Sequence, residues 1–179
     1  MNQSSLTTGN ITKSLLRFAF PMMVGNLLQQ LYNIVDTLIV GQFLGKEALA
    51  AVGSSYSLMT FLTSILLGLC MGSGVCFSIC FGKREYDRMK SGIFMSFVMI
   101  GGAALLLSAA VFAGMDLILK ALQVPGDVYG LMRDYLWVIF WGIAATFLYN
   151  FFASLLRAVG NSVVPLLFLG IAALSNIGL

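Results

Sequence analysis

The stretch LLRFAFPMMVGNLLQQLYNIVDTLIV, Leu15 to Val40, is almost wholly apolar at both ends and carries a lone carboxylate, Asp36, near its close. It exceeds the ~20 residues that an α-helix needs to cross a ~30 Å hydrocarbon core. Its polar residues are not scattered. At about 100° per residue, Asn26, Gln29, Gln30, Asn33, Asp36 and Thr37 fall within an arc of about 120°. Leu27, Leu31, Ile34, Val35 and Leu38 lie on the opposite face. An Asp at the centre of a membrane helix costs about 2.5–3.5 kcal/mol on insertion scales, and such residues face a cavity or a partner. A membrane helix built this way points to transport.

The composition agrees with the helix. Of 179 residues, 59% are hydrophobic and 9% charged, with a mean hydropathy of +0.95, whereas soluble domains carry about 25% charged residues. The expected fold is therefore all-α: a polytopic membrane helix bundle. A net charge of +3 does not indicate nucleic acid, because the basic residues sit at the span flanks and form no basic stripe with interleaved aromatics. Histidine is absent, and no Gly-x-Ser-x-Gly, Walker or His-Glu-x-x-His motif occurs, so an enzyme is not expected and no residue is assigned a catalytic role. Cys70, Cys76 and Cys80 lack a Cys-x-x-Cys spacing and read as small polarisable residues of one helix.

Five apolar segments succeed one another, roughly 15–40, 48–80, 91–115, 131–154 and 163–179, behind a polar segment 1–14 that has no signal-peptide character. The second is too long for one straight perpendicular crossing, which predicts an interfacial, tilted or kinked part, with Gly68, Gly72 and Gly74 supplying flexibility. Gly68-x-x-x-Gly72 also permits close helix contact. With the N-terminus cytoplasmic, the inner flanks hold Lys13, Arg17, Lys83, Arg84, Arg88, Lys90 and Arg157, and the outer flanks hold Lys46, Lys120 and Arg133. That distribution satisfies the positive-inside rule, and the reverse orientation violates it. Asn10-Ile11-Thr12 is then a fortuitous sequon. The 83–90 segment reads as a charged cytoplasmic turn, and Pro125-Gly126 marks a turn on the other side. The last apolar segment runs to Leu179 without a closing flank, which suggests truncation within the fifth helix.

Asp36 can bind a proton or a small cation and exchange one for the other. The plainer alternative is pairing with Lys46 or capping of the turn before Gly41, which leaves the neighbouring amides unexplained. Pro21, fifteen residues earlier, removes one backbone hydrogen bond and favours a kink, either a moving joint or a static bend. Tyr135 is either a hydrogen-bond partner for a buried carboxyl or a belt aromatic beside Trp137 and Trp141. Asn176 is either a cation ligand or a polar contact between helices.

Several motifs occur in one order. Phe20-Pro21-Met22 with Asn33-Ile34-Val35-Asp36-Thr37-Leu38-Ile39-Val40-Gly41 resembles the first helix of the MATE (multidrug and toxic compound extrusion) antiporters. Leu44-Gly45 and Ala48-Leu49-Ala50-Ala51-Val52-Gly53 come next and extend the resemblance. Leu156-Arg157-Ala158-Val159-Gly160-Asn161 before Pro165 resembles that family's connection between helices four and five. The resemblance implies a twelve-helix transporter of two six-helix lobes, with this chain supplying helices one to four and most of five. It implies that Asp36 is the ion-coupling carboxylate, that Pro21 bends the first helix, and that Tyr135 and Asn176 line the same lobe's cavity. The family's second acidic residue, four positions after that Asn, would fall just beyond Leu179.

The function so implied is ion-coupled antiport, H⁺ or Na⁺ against cationic or amphipathic xenobiotics, at the plasma membrane. Asn26, Gln29, Gln30 and Asn33 would line the substrate cavity. No cofactor is expected besides the coupling ion, and no metal beyond Na⁺ at Asp36 and Asn176. The expected partners are small molecules, membrane lipid and the missing C-terminal part, with no nucleic acid. The alternatives are a lipid-linked oligosaccharide flippase of the same superfamily, which would favour a basic cavity, and a non-transporting membrane scaffold.

Overall fold

The computed structural model describes residues 11–121, 124 and 126–178. Within the helices, several side chains lie outside the description, among them those of Asp36, Lys46 and Asn176. Asn10 of the sequon and Pro125 of the outer turn likewise lie outside the described residues.

The chain is a bundle of long helices: α1 (Ile11–Ile39), a π-helical turn (Val40–Leu44), α2 (Gly45–Gly82), α3 (Tyr86–Ala121), α4 (Gly126–Trp141), α5 (Ile143–Ala158) and α6 (Val163–Gly178). No strand occurs among the described residues. Leu58–Gly82 and Tyr86–Lys120 are each long and apolar enough to cross a bilayer.

The core sits around α2. Leu62, Leu66, Cys70 and Phe77 are buried, and Gly74 joins their stripe. The spacing of about four residues keeps one face of α2 turned inward, toward α3, α4 and α5. The partners answer with the same periodicity: Met132, Leu136 and Phe140 on α4, Ile143, Phe147 and Phe151 on α5, and Ile100, Ala104, Val111 and Met115 on α3. Phe77 meets Phe151 edge to face at 6.1 Å between ring centroids, and Phe97 meets it at 5.3 Å. Such pairs contribute about 0.5–1.5 kcal/mol beyond their buried area.

Two features depart from the sequence reading, the first in α2, a continuous helix of 38 residues, about 57 Å long. Its close approach is made by Gly74, where an added Cβ would lie 3.3 Å from the Ser154 Cβ. Gly68 and Gly72, the expected contact pair, face open space with nothing within 4 Å. The segment 131–154, read as one span, is two helices bent by 41°. The break is at Gly142, whose N–H donates to the Ile139 carbonyl at 2.8 Å. A Cβ there would lie 2.9 Å from that same oxygen, so the tight turn excludes a side chain.

Two turns reverse the chain by one device. After α2, the Glu85 N–H reaches the Cys80 carbonyl (2.9 Å) and the Arg84 N–H the Phe81 carbonyl (3.1 Å), with Arg84 at φ 61°. After α5, Asn161 N–H reaches Leu156 (2.9 Å) and Gly160 N–H reaches Arg157 (3.0 Å), with Gly160 at φ 84°. Both are Schellman closures, which satisfy the carbonyls left open at a helix end. Asn161 then starts α6, its Oδ1 accepting from the Val163 and Val164 N–H groups, each at 3.2 Å. The Leu156–Asn161 motif is thus a stop and a start in one.

Candidate functional site

α1 presents three faces. The first packs on α6: Gly25 is buried, and a Cβ there would lie 3.5 Å from Leu166 Cδ1 and 3.6 Å from Leu169 Cδ2. Val24, Leu28 and Val35 are half-buried on the same side. The second face, Leu27, Leu31, Ile34 and Leu38, is exposed and suits lipid. The third is polar: Asn26, Gln29 and Gln30 are exposed and Asn33 is half-buried. Val35, grouped with the apolar stripe in the sequence reading, belongs to the packed face instead.

The polar face is internally organised. Asn33 Nδ2 donates to Gln30 Oε1 at 3.3 Å, and Thr37 Oγ1 donates to the Asn33 carbonyl at 2.8 Å. Pro21 lies within α1, which continues through it without interruption. The π-helical turn Val40–Leu44 comes directly after the Asp36 turn, and Gly45 beyond it has φ 84°.

The other expected residues are distributed between neighbouring helices. Asn176 is on α6, which packs along α1. Tyr135 is half-buried on α4, whose main neighbours are α2 and α3. Trp137 and Trp141 point elsewhere: both are exposed and cluster with Phe112 of α3.

One constellation had no sequence signal. Tyr129 Oη of α4 donates to Asp116 Oδ1 of α3 at 3.0 Å, and Arg133 Nε lies 3.5 Å from the same oxygen. These three residues clamp α4 to the end of α3. Only the approach of two helices creates this group; the spacing of Asp116 from Tyr129 does not announce it. Among the described residues no cluster of His, Cys, Asp and Glu suits a metal.

The MatE family model matches residues 21–179. The chain belongs to the MATE family. It is similar to a probable multidrug resistance protein, YpnP of Bacillus subtilis (strain 168), at 35% identity over 98% of this chain and 40% of that protein. It is also similar to the multidrug export protein MepA of Staphylococcus aureus (strain MRSA252), at 29% identity over 94% of this chain and 37% of that protein. The fold matches an outward-facing multidrug resistance MATE family transporter of the MOP superfamily, with a TM-score of 0.89 at 22% identity, over 97% of this chain and 38% of that one. This MATE chain thus spans about two fifths of the length of these relatives, and it superposes on an N-terminal portion of the MATE helix bundle. The family is one of transporters, not enzymes.

Proposed function

We propose that this chain is the N-terminal part of an ion-coupled antiporter that exports cationic or amphipathic compounds in exchange for H⁺ or Na⁺. Residues 15–179 form one transmembrane domain in the plasma membrane, with the N-terminus cytoplasmic. The observation that carries the reading is the polar face of α1: Asn26, Gln29 and Gln30 are exposed on a helix already provided with a packing face and a separate apolar face. In lipid, amides with no partner are costly, so such a face belongs on a water-filled passage.

Asp36 is the coupling group, placed on α1 one turn beyond Asn33. A carboxylate there takes up H⁺ or Na⁺, loses its charge or shares it, and releases a cationic substrate that competes for the same site. Asn176 is the nearest candidate helper. Crossings alternate through α1, α2, α3 and the α4–α5 pair, so α6 runs in the direction of α1. Gly25 lies against Leu166 and Leu169; Asn176 is seven to ten residues further along α6, which sets it level with positions 32 to 35 of α1, about one turn or less from Asp36. Tyr135 acts from α4 as a hydrogen-bond donor, and Asn26, Gln29, Gln30 and Asn33 line the substrate path. Pro21 provides the bend that lets α1 move as the lobes rock.

The test is efflux from cells or vesicles that carry the complete transporter with Asp36→Asn. Gradient-driven export falls at least tenfold, with the protein still in the membrane. Imposing a Na⁺ gradient and a pH gradient separately identifies the ion, and undiminished efflux by the variant overturns the reading.

A further inference from the structure

Along the seam between α3 and the α4–α5 pair, three features line up. At the end nearer the α3–α4 connection, Arg133 and Asp134 are adjacent and exposed. Asp134 takes part in no ion pair or hydrogen bond among the described residues, and the Arg133 side chain stays 56% exposed beside Asp116. One turn deeper comes an aromatic cluster: Phe112, Trp137 and Trp141 stand at mutual centroid distances of 5.9–6.0 Å, with planes inclined at 55–69°. The indoles are 53% and 66% exposed. Directly below runs an apolar groove of about 370 Å³, lined by Phe97, Gly101, Gly102 and Ser108 of α3 and by Phe147 and Leu148 of α5. Ser108 is one turn from Phe112, and the α5 wall begins three residues after Trp141, so cluster and groove are continuous.

We propose that this seam seats one phospholipid with a zwitterionic, ammonium-bearing head group. Asp134 receives the ammonium and Arg133 the phosphate. The indoles cover the interfacial region of the lipid, as aromatic belts do, and the outer face of Trp137 adds a cation–π contact. The groove takes one acyl chain. Phe97 to Ser108 spans about 16 Å at 1.5 Å per residue, half of a ~30 Å hydrocarbon core and hence the depth one chain reaches. Gly101 and Gly102 hold the groove open; a Cβ at 102 meets nothing within 4 Å. The adjacent opposite charges select a zwitterion over a simple cationic amphiphile, which has no use for Arg133. This seat is separate from the polar face of α1 and does not depend on the transport reading.

The chain's two tryptophans are both in the seat, so intrinsic fluorescence reports it directly. The full chain is placed in nanodiscs of unbrominated phosphatidylglycerol with a minor fraction of phosphatidylethanolamine brominated on its acyl chains. Diacylglycerol with the same brominated chains is the comparison. Quenching by the ethanolamine lipid exceeds that by diacylglycerol about fivefold at equal mole fraction, the size expected of one cation–π contact with an exposed ion pair. Asp134→Asn removes the preference, and Gly102→Leu, which fills the groove from an open position, lowers quenching by both lipids. Equal quenching by the two lipids in the unaltered chain overturns the proposal, since it describes ordinary annular lipid. So does displacement of the ethanolamine lipid by an equal mole fraction of dodecyltrimethylammonium, which lacks a phosphate.

Discussion

Gly74 of α2 and Ser154 of α5 approach so closely that a Cβ on Gly74 would lie 3.3 Å from the serine Cβ and 3.4 Å from its carbonyl oxygen. Ser154 is itself buried. This contact lets α2 and α5 bring Phe77 and Phe151 together at 6.1 Å in the same layer. Small residues at such crossings allow backbones to approach and gain dispersion contacts, which drive helix association where lipid is as apolar as the side chains.

Gly74→Leu therefore overpacks the crossing, and thermal unfolding in detergent micelles shows a loss of about 1–3 kcal/mol. Gly68→Leu and Gly72→Leu, whose positions are open, leave the transition within about 0.5 kcal/mol. Equal losses at all three positions would show that the Gly74 crossing is not specially tight.

Gly142→Ala places a methyl group against the Ile139 carbonyl, where the separation would be 2.9 Å. Relief requires opening the turn that bends α4 against α5 by 41°. The expected loss is about 1–3 kcal/mol, read in the same unfolding assay, with a changed distance between spin labels placed on α4 and α5. An unchanged interlabel distance together with unchanged stability would rule out this role.

Arg84 and Gly160 fill the same left-handed position of two Schellman turns, at φ 61° and 84°. A side chain costs roughly 1–2 kcal/mol in that region. Arg84→Gly stabilises the chain by about 1 kcal/mol, and Gly160→Ala destabilises it by about the same amount, both measured by denaturant or thermal unfolding. Changes of the same sign in both variants would contradict the assignment.

Tyr129 Oη, Asp116 Oδ1 and Arg133 Nε hold α4 to the end of α3. Tyr129→Phe removes one hydrogen bond of this clamp, and thermal unfolding in detergent micelles shows a loss of about 0.5–1.5 kcal/mol. An unchanged transition would remove Tyr129 from the account.

Much of the bundle was legible in the residues. Apolar runs separated by charged turns announce membrane helices, because lipid leaves the backbone no partner outside its own helix. The polar stripe of α1 comes from 3.6-residue periodicity alone, and the Leu156–Asn161 motif carries its helix stop and helix start in its own letters. The break at Gly142 was not legible, since it lies in an uninterrupted apolar run without proline. The role of a glycine depends on what opposes it, which is why Gly74 and not Gly68 or Gly72 makes the crossing.

The same division applies to the candidate site. Which residues of α1 share a face is a property of one helix, determined by the order of its amino acids. Which face packs, which meets lipid and which is left polar was decided by the placement of α6 against Gly25, and that same packing turned Val35 inward. The Asp116–Tyr129–Arg133 clamp and the aromatic cluster over the α3–α5 groove likewise exist only after α3 meets α4 and α5. Sequence sets the period along each helix; the rotation of one helix about its axis against another is a matter of packing between them, and only the tertiary structure decides it.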